Sequence, residues 1–185
     1  HAFFGCNGLT SFTIPDSVTS IGEDVFSLCK GLISVTIGNS VTSIGWNAFS
    51  YCTGLASITI PDSVTSIDLG VFSDCTGLTS IIIPNSVTNI GGSAFYGCTS
   101  LTSVIIPDSV TRIDGGAFWG CTGLASVTIP DTVTSIGGGA LSGTSWYNAK
   151  PDGLIYINKV LYKYKGTMPS NTTIDIIPGT VSISD

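Results

Sequence analysis

Cysteine recurs in this chain at an interval that never varies. Cys6, Cys29, Cys52, Cys75, Cys98 and Cys121 are its only cysteines, and each lies 23 residues from the next. Zinc knuckles, redox pairs and disulfide frameworks need short or irregular spacings. A fixed period of this length means one structural unit, repeated and stacked. Such a chain has no single centre, because each coil buries its inner face against its neighbours.

Written from its leucine, one unit reads LISVTIGNSVTSIGWNAFSYCTG, from Leu32 to Gly54. Leu9, Leu32, Leu55, Leu78, Leu101 and Leu124 share one column, and Ile14, Ile37, Ile60, Ile83, Ile106 and Ile129 another. Between them, segments such as SVTI alternate with a period of two, which predicts a strand with one buried face. One strand per coil stacks into a parallel sheet. Pro15, Pro61, Pro84, Pro107 and Pro130 close the strand where its ladder ends. A second extended piece, SVTSI, follows, with Val41 and Ile44 turned inward in this coil. Phe3, Phe26, Phe49, Phe72, Phe95 and Phe118, with Leu141 closing the series, each stand three residues before the cysteine position. That offset predicts a short α or 3-10 turn on the convex side. Cysteine beside phenylalanine reads as a small buried hydrophobe, so the six form a structural ladder. Parallel Cβ vectors about 4.8 Å apart disfavour disulfides between coils.

The LxxVxI strand, the SVTSIG segment, the AF pair and the cysteine before each leucine resemble the BspA-like, or Treponema pallidum-type, leucine-rich repeat, from Ala2 to Gly143. The resemblance implies a leucine-rich-repeat solenoid. It also implies a surface protein of host-associated microbes, as found in gut Bacteroides, several of which act as adhesins for host matrix proteins or other bacteria. Where an asparagine ladder would stand in other leucine-rich repeats, this chain has Ser17, Ser40, Ser63, Ser86, Ser109 and Thr132. These hydroxyls can still bridge backbone groups.

The array is expected over 1–145, about six coils, and then the pattern breaks. Thr144 replaces the cysteine and Tyr147 the leucine. GLIYI and VLYKY are two alternating runs separated by Asn158 and Lys159, which predicts a β-hairpin within an insert over 146–172. BspA-like proteins resemble the chain here too, in a WY…PDG…YI…LYKYKG interruption. A degenerate repeat resumes over 173–185, with Ile176 and Ile183 as equivalents of Ile37 and Ile44. The first residues, HAFFGC, already stand inside a repeat, so the N-terminus reads as a cut end. The insert is the candidate partner-binding site through Trp146, Tyr147, Tyr156, Lys159, Tyr162, Lys163, Tyr164 and Lys165. Tyr156, Tyr162 and Tyr164 are expected on one face of the hairpin. A purely structural role, shielding one edge of the solenoid, is the competing reading.

Charge separates these regions. Residues 1–149 hold nine acids against Lys30 and Arg112, a net of −7, while the remainder carries four lysines against three aspartates. Backbone binding to nucleic acid needs concentrated Lys and Arg, so nucleic acid is excluded as a partner. No apolar run reaches the length of a membrane span. His1 is the only histidine, which removes histidine-based triads and zinc sites. The column Asp16, Asn39, Asp62, Asn85, Asp108 and Asp131 suits turns better than calcium. The glycine pairs at 91–92 and 115–116 do not follow a strand within a βαβ unit, so phosphate-loop readings fail. No cofactor, metal or enzymatic activity is expected. Outward strand positions are small hydroxyls except for an isoleucine step at Ile82 and Ile105. Trp46, Tyr51, Tyr96 and Trp119 fall on the convex side as isolated aromatics that need no explanation. The reading is a non-enzymatic, extracellular or cell-surface binding module for a host matrix protein, another surface protein or a glycan. The alternative is a spacer or stalk carrying other domains.

Overall fold

A computed structural model describes residues 1–184; Asp185, the last residue of the expected resumed repeat, lies outside the described residues. The first strands Ser11–Ile14, Ser34–Ile37 and Ser57–Ile58 pair in parallel. Their register is set by the repeat, with Ser11 opposite Ser34 and Ser34 opposite Ser57. Ser103–Ile105 pairs in the same way with Ser126–Thr128. The second segments form their own parallel ladders, Ser20–Ile21 with Ser43–Ile44, and Ser66–Ile67 through Asn89–Ile90 and Arg112–Ile113 to Ser135–Ile136. Hydroxyls in the column that replaces asparagine tie these segments together. Ser86, Ser109 and Thr132 donate to the carbonyls of Val64, Val87 and Val110 in the preceding coil, at 2.6, 2.6 and 3.1 Å.

The convex arc is hydrogen-bonded from coil to coil as well. The amide of each ladder phenylalanine donates to the carbonyl just before the next one, as Phe49 does to Val71 at 2.9 Å and Phe72 to Ala94 at 2.8 Å. The expected helical turn is realised as separate i→i+3 bonds, such as Cys75 N–H to Phe72 C=O at 3.2 Å. Two left-handed residues in each arc keep it from lengthening into a helix. They are Asp24 and Leu28, Asn47 and Tyr51, Gly70 and Asp74, Ser93 and Gly97, Gly116 and Gly120, and Gly139 and Gly143. The only helix among the described residues is Ser145–Asn148, capped by the Thr144 hydroxyl.

Packing follows from this register. Phe3, Phe26, Phe49, Phe72, Phe95 and Phe118 stack face to face, with centroids 5.2–5.7 Å apart and planes within 15°. Each thiol from Cys29 to Cys121 donates to the carbonyl of the phenylalanine 26 residues earlier, at 2.9–3.2 Å. All six cysteines are free, five of them buried. Cys6 departs from the expected buried ladder and is exposed, because no earlier coil covers it among the described residues.

The hairpin comprises Gly153–Ile157 and Val160–Lys165, turning at Asn158 and Lys159, with Asn158 in the left-handed region. Ser182–Ile183 then pairs in parallel with Val160 and Leu161. The hydroxyls of Ser182 and Ser184 donate to the carbonyls of Thr134 and Ile136, at 2.7 and 2.5 Å. Equivalent carbonyls one coil earlier, on Thr111 and Ile113, accept from backbone amides instead. The serines therefore satisfy the edge of the last regular ladder. Ile176 and Ile183, expected inward, are 42% and 64% exposed, since no following arc closes over them among the described residues.

Burial raises the thiols of Cys29 and Cys75, and pushes Cys52 up to about 12 from an ordinary 9.0. An unfolded chain would release these protons above pH 9 while the folded chain holds them. The unfolded state then binds fewer protons, so stability falls as pH rises between 9 and about 12. Urea midpoints should therefore decline from pH 8 to pH 11. A thiol reagent at pH 7 should label one cysteine quickly, Cys6, and all six only after denaturation without reductant.

Candidate functional site

The insert folds much of its aromatic surface inward. Tyr162 is 2% exposed, and its hydroxyl oxygen accepts the Leu141 amide at 2.8 Å. It is therefore a strut between hairpin and array and is not available to a partner. A β-bulge between Ile155 and Tyr156 shifts the register, so that Tyr156 lies opposite Leu161 while Tyr164 lies opposite Leu154. The expected single tyrosine face does not form. Tyr156 instead accepts the Ile177 amide at 3.1 Å, on the C-terminal segment. Lys150 sits 4.2 Å from the Trp146 ring centre. Tyr147 has Lys163 and Lys165 at 5.9 and 5.7 Å from its ring centre and meets Tyr162 edge-on. Lys165 also donates to the carbonyls of Asn148 and Lys150. Lys159 and Lys163 remain exposed, and Trp146, Tyr147, Tyr156 and Tyr164 are half-buried.

The sheet face presents something different. Ile82 and Ile105 are 79% and 71% exposed and occupy neighbouring coils. Ile82 is tied to Thr59 on the preceding coil by an isolated bridge. On its other side the ladder stops. Among the described residues, no strand pairing or backbone hydrogen bond joins 79–83 to 102–106. A cleft of about 310 Å³ opens there, lined by Ser80, Ile82, Asn85, Ser103, Ile105 and Pro107 among others. Asp62 and Asp108 are exposed along the same edge.

One departure from the repeat coincides with the opening. The glycine before each leucine lets successive coils approach. A Cβ added at Gly54, Gly77 or Gly123 would stand 2.5–2.7 Å from a carbonyl oxygen of the previous coil. Ser100 is the member of this column that carries such a Cβ, and the missing ladder lies between its coil and the one before. The signal was present in the sequence as CTS where the other coils read CNG, CKG or CTG. A second interruption separates Ser43–Ile44 from Ser66–Ile67, where Asp68 stands in a column otherwise held mostly by glycine. Asp114 shares that column and keeps its ladder, with Gly91 and Gly92 on the neighbouring coil.

Among the described residues, no group of three or more His, Cys, Asp or Glu side chains is placed to hold a metal ion. No helix among them is long and apolar enough to cross a membrane.

Comparison with known proteins bears on both surfaces. The family described as BspA type leucine rich repeat region matches in six copies, over residues 1–122 and 88–174. The crystal structure of a T. pallidum leucine rich repeat protein is similar at TM-score 0.75 and 36% identity, covering 78% of this chain and 68% of that one. A leucine-rich repeat protein from Eubacterium ventriosum is similar at TM-score 0.67 and 26% identity, over 74% of this chain and 43% of that one. The chain thus spans less than half of the second relative. None of the curated proteins compared with the chain matches it.

Two outcomes test the geometry. Ser100→Gly should let the ladder close, so that the Ser103 and Ile105 amides gain protection in hydrogen exchange; unchanged exchange would remove Ser100 as the cause. Tyr162→Phe leaves the buried Leu141 amide without its acceptor and should cost about 1–3 kcal/mol in urea unfolding.

Proposed function

Because the chain belongs to the BspA type leucine rich repeat family, we propose that it is a non-enzymatic binding module displayed at a cell surface, for a protein partner such as a host matrix protein. The observation that carries this reading is the cleft between Ile82 and Ile105. Large apolar side chains left in water gain free energy when a partner covers them, at about 25 cal/mol per Å² of apolar area. Among the described residues, backbone groups at 79–83 and 102–106 lack ladder partners across the cleft, and polar side chains of a partner could hydrogen-bond to them. Asp62 and Asp108 favour basic side chains on that partner. The rest of the sheet face offers repeated hydroxyls, which give a partner repetition and little specificity.

A second surface is favoured by one observation, the exposure of Lys159 and Lys163 beside half-buried aromatics on a chain whose array is acidic. There the hairpin would meet an anionic protein or glycan, with Tyr147 and Tyr164 contributing contact area.

Binding of immobilised chain to a panel of matrix proteins tests both surfaces. Ile82→Thr with Ile105→Thr restores the residue found at positions 13, 36, 59 and 128, so the fold is retained. This pair should weaken binding at least tenfold, about 1.4 kcal/mol. Loss through Lys159→Glu and Lys163→Glu instead would move the site to the insert. An intact chain that retains no partner would favour the spacer reading.

A further inference from the structure

The convex arc carries a feature that neither the cleft nor the insert explains. Tyr51, Tyr96 and Trp119 are 47%, 40% and 49% exposed. Other coils use quite different residues at these places. Tyr51 stands in the column of Gly5, Leu28, Asp74, Gly97, Gly120 and Gly143, while Tyr96 and Trp119 stand in that of Phe4, Ser27, Ser50, Ser73 and Ser142. Tyr51 adopts a φ of 57°, a conformation that glycine takes freely and tyrosine takes at a cost. A bulky ring that is strained, exposed and replaceable by glycine contributes nothing to folding. Leu28 and Asp74 adopt the same conformation in this column, so the fold sets the backbone there and leaves the side chain free to vary.

Tyr51 and Tyr96 stand on the coils that flank a carboxylate, that of Asp74. Its Oδ1 leans over the next coil, 2.5 Å from where a Cβ on Gly97 would stand. The Ser73 hydroxyl donates to its Oδ2 at 3.3 Å. Asp74 raises the Tyr51 hydroxyl pKa through its charge and a hydrogen bond, and Tyr96 adds to the effect. The Tyr51 amide donates to the Ser73 carbonyl and the Asp74 amide to the Tyr96 carbonyl, so the three residues stand side by side on successive coils. Trp119 follows on the next coil, its ring lying over Gly139.

The chemistry of this patch fits a sugar chain. A pyranose with equatorial substituents offers an apolar C–H face to an aromatic ring, and its edge hydroxyls donate to a carboxylate. The phenylalanine stack beneath advances 5.7, 5.5 and 5.2 Å over the coils of Tyr51, Asp74, Tyr96 and Trp119. One such step is close to the advance per sugar of an extended β-linked chain, so rings two coils apart would meet alternate sugars. Glu23, Asp24, Asp68, Asp74 and Asp114 outnumber Lys30 and Arg112 along the arc and its edge, which repels anionic polymers. We propose that the Tyr51–Asp74–Tyr96–Trp119 ridge binds a neutral, extended polysaccharide lying along the solenoid axis. This site is independent of the sheet-face reading.

Affinity electrophoresis of the whole chain through gels containing hydroxyethyl cellulose, glucomannan, xylan or mixed-linkage β-glucan tests it, with polygalacturonate as the anionic control. At least one neutral polymer should retard the protein. Tyr51→Gly with Tyr96→Ser installs the array's own residues, so the thermal midpoint should be unchanged or higher while retardation weakens at least tenfold. Asp74→Asn should weaken it severalfold. Ile82→Thr with Ile105→Thr should leave it unaltered, which separates this site from the protein-binding cleft. The proposal is overturned by retardation in none of the neutral gels, by equal retardation of the Tyr51/Tyr96 variant, or by preference for polygalacturonate. Competition by tetramethylammonium alone would also overturn it, in favour of a cation cage.

Discussion

Everything in this molecule depends on how closely one coil can approach the next. Phenylalanine rings stacked 5.2–5.7 Å apart set the spacing on the convex side, and backbone hydrogen bonds set it on the sheet side. The two agree because both derive from the same 23-residue repeat. Amides and carbonyls that would otherwise be buried without partners find them on neighbouring coils. The cysteine thiol takes part in this accounting by donating to a phenylalanine carbonyl in the preceding coil. A larger, branched residue would fill the space without supplying a donor, and serine would supply a donor with less apolar volume.

Close approach also explains where regularity fails. A single Cβ, that of Ser100, stands where its neighbours have glycine, and one rung of the sheet ladder is missing beside it. The same economy governs the end of the array, where Ser182 and Ser184 hydroxyls take the place of backbone amides on the last exposed carbonyls. Tyr162 holds the hairpin to Leu141 in a similar way. In a stacked repeat, each interface can be adjusted locally because it contacts only its neighbours. Departures from the repeat therefore alter the surface without dismantling the core.

Those departures carry the functional readings. Identical coils give a partner identical contacts, so discrimination must come from positions that differ. Three such sets stand on three different faces: Ile82 and Ile105 on the sheet, the lysine-rich hairpin at the C-terminal side, and the aromatic ridge on the convex arc. Their chemistries also differ, one apolar with acidic flanks, one cationic, and one aromatic with a carboxylate. On the readings proposed above, such a module engages more than one kind of partner without remodelling its core.

The sequence by itself determined the solenoid, most strand positions, the inward columns of the regular array and the hairpin turn at Asn158 and Lys159. Periodicity encodes these directly, since a residue's column decides whether it faces the core. The same ground placed all six cysteines inside, and the fold buries five of them. Sequence alone could not decide which aromatics of the insert stay available, because the bulge at Ile155 and Tyr156 and the reach of Tyr162 to Leu141 arise only when the hairpin docks. The helical turn predicted from the Phe–Cys offset was likewise a matter for tertiary structure, since paired left-handed residues in each arc answer to coil-to-coil bonds rather than local propensity. Cys6 is exposed because no earlier coil stands over it among the described residues. Tyr51, Asp74 and Tyr96 lie 23 and 22 residues apart in the chain. Stacking alone brings them into one patch.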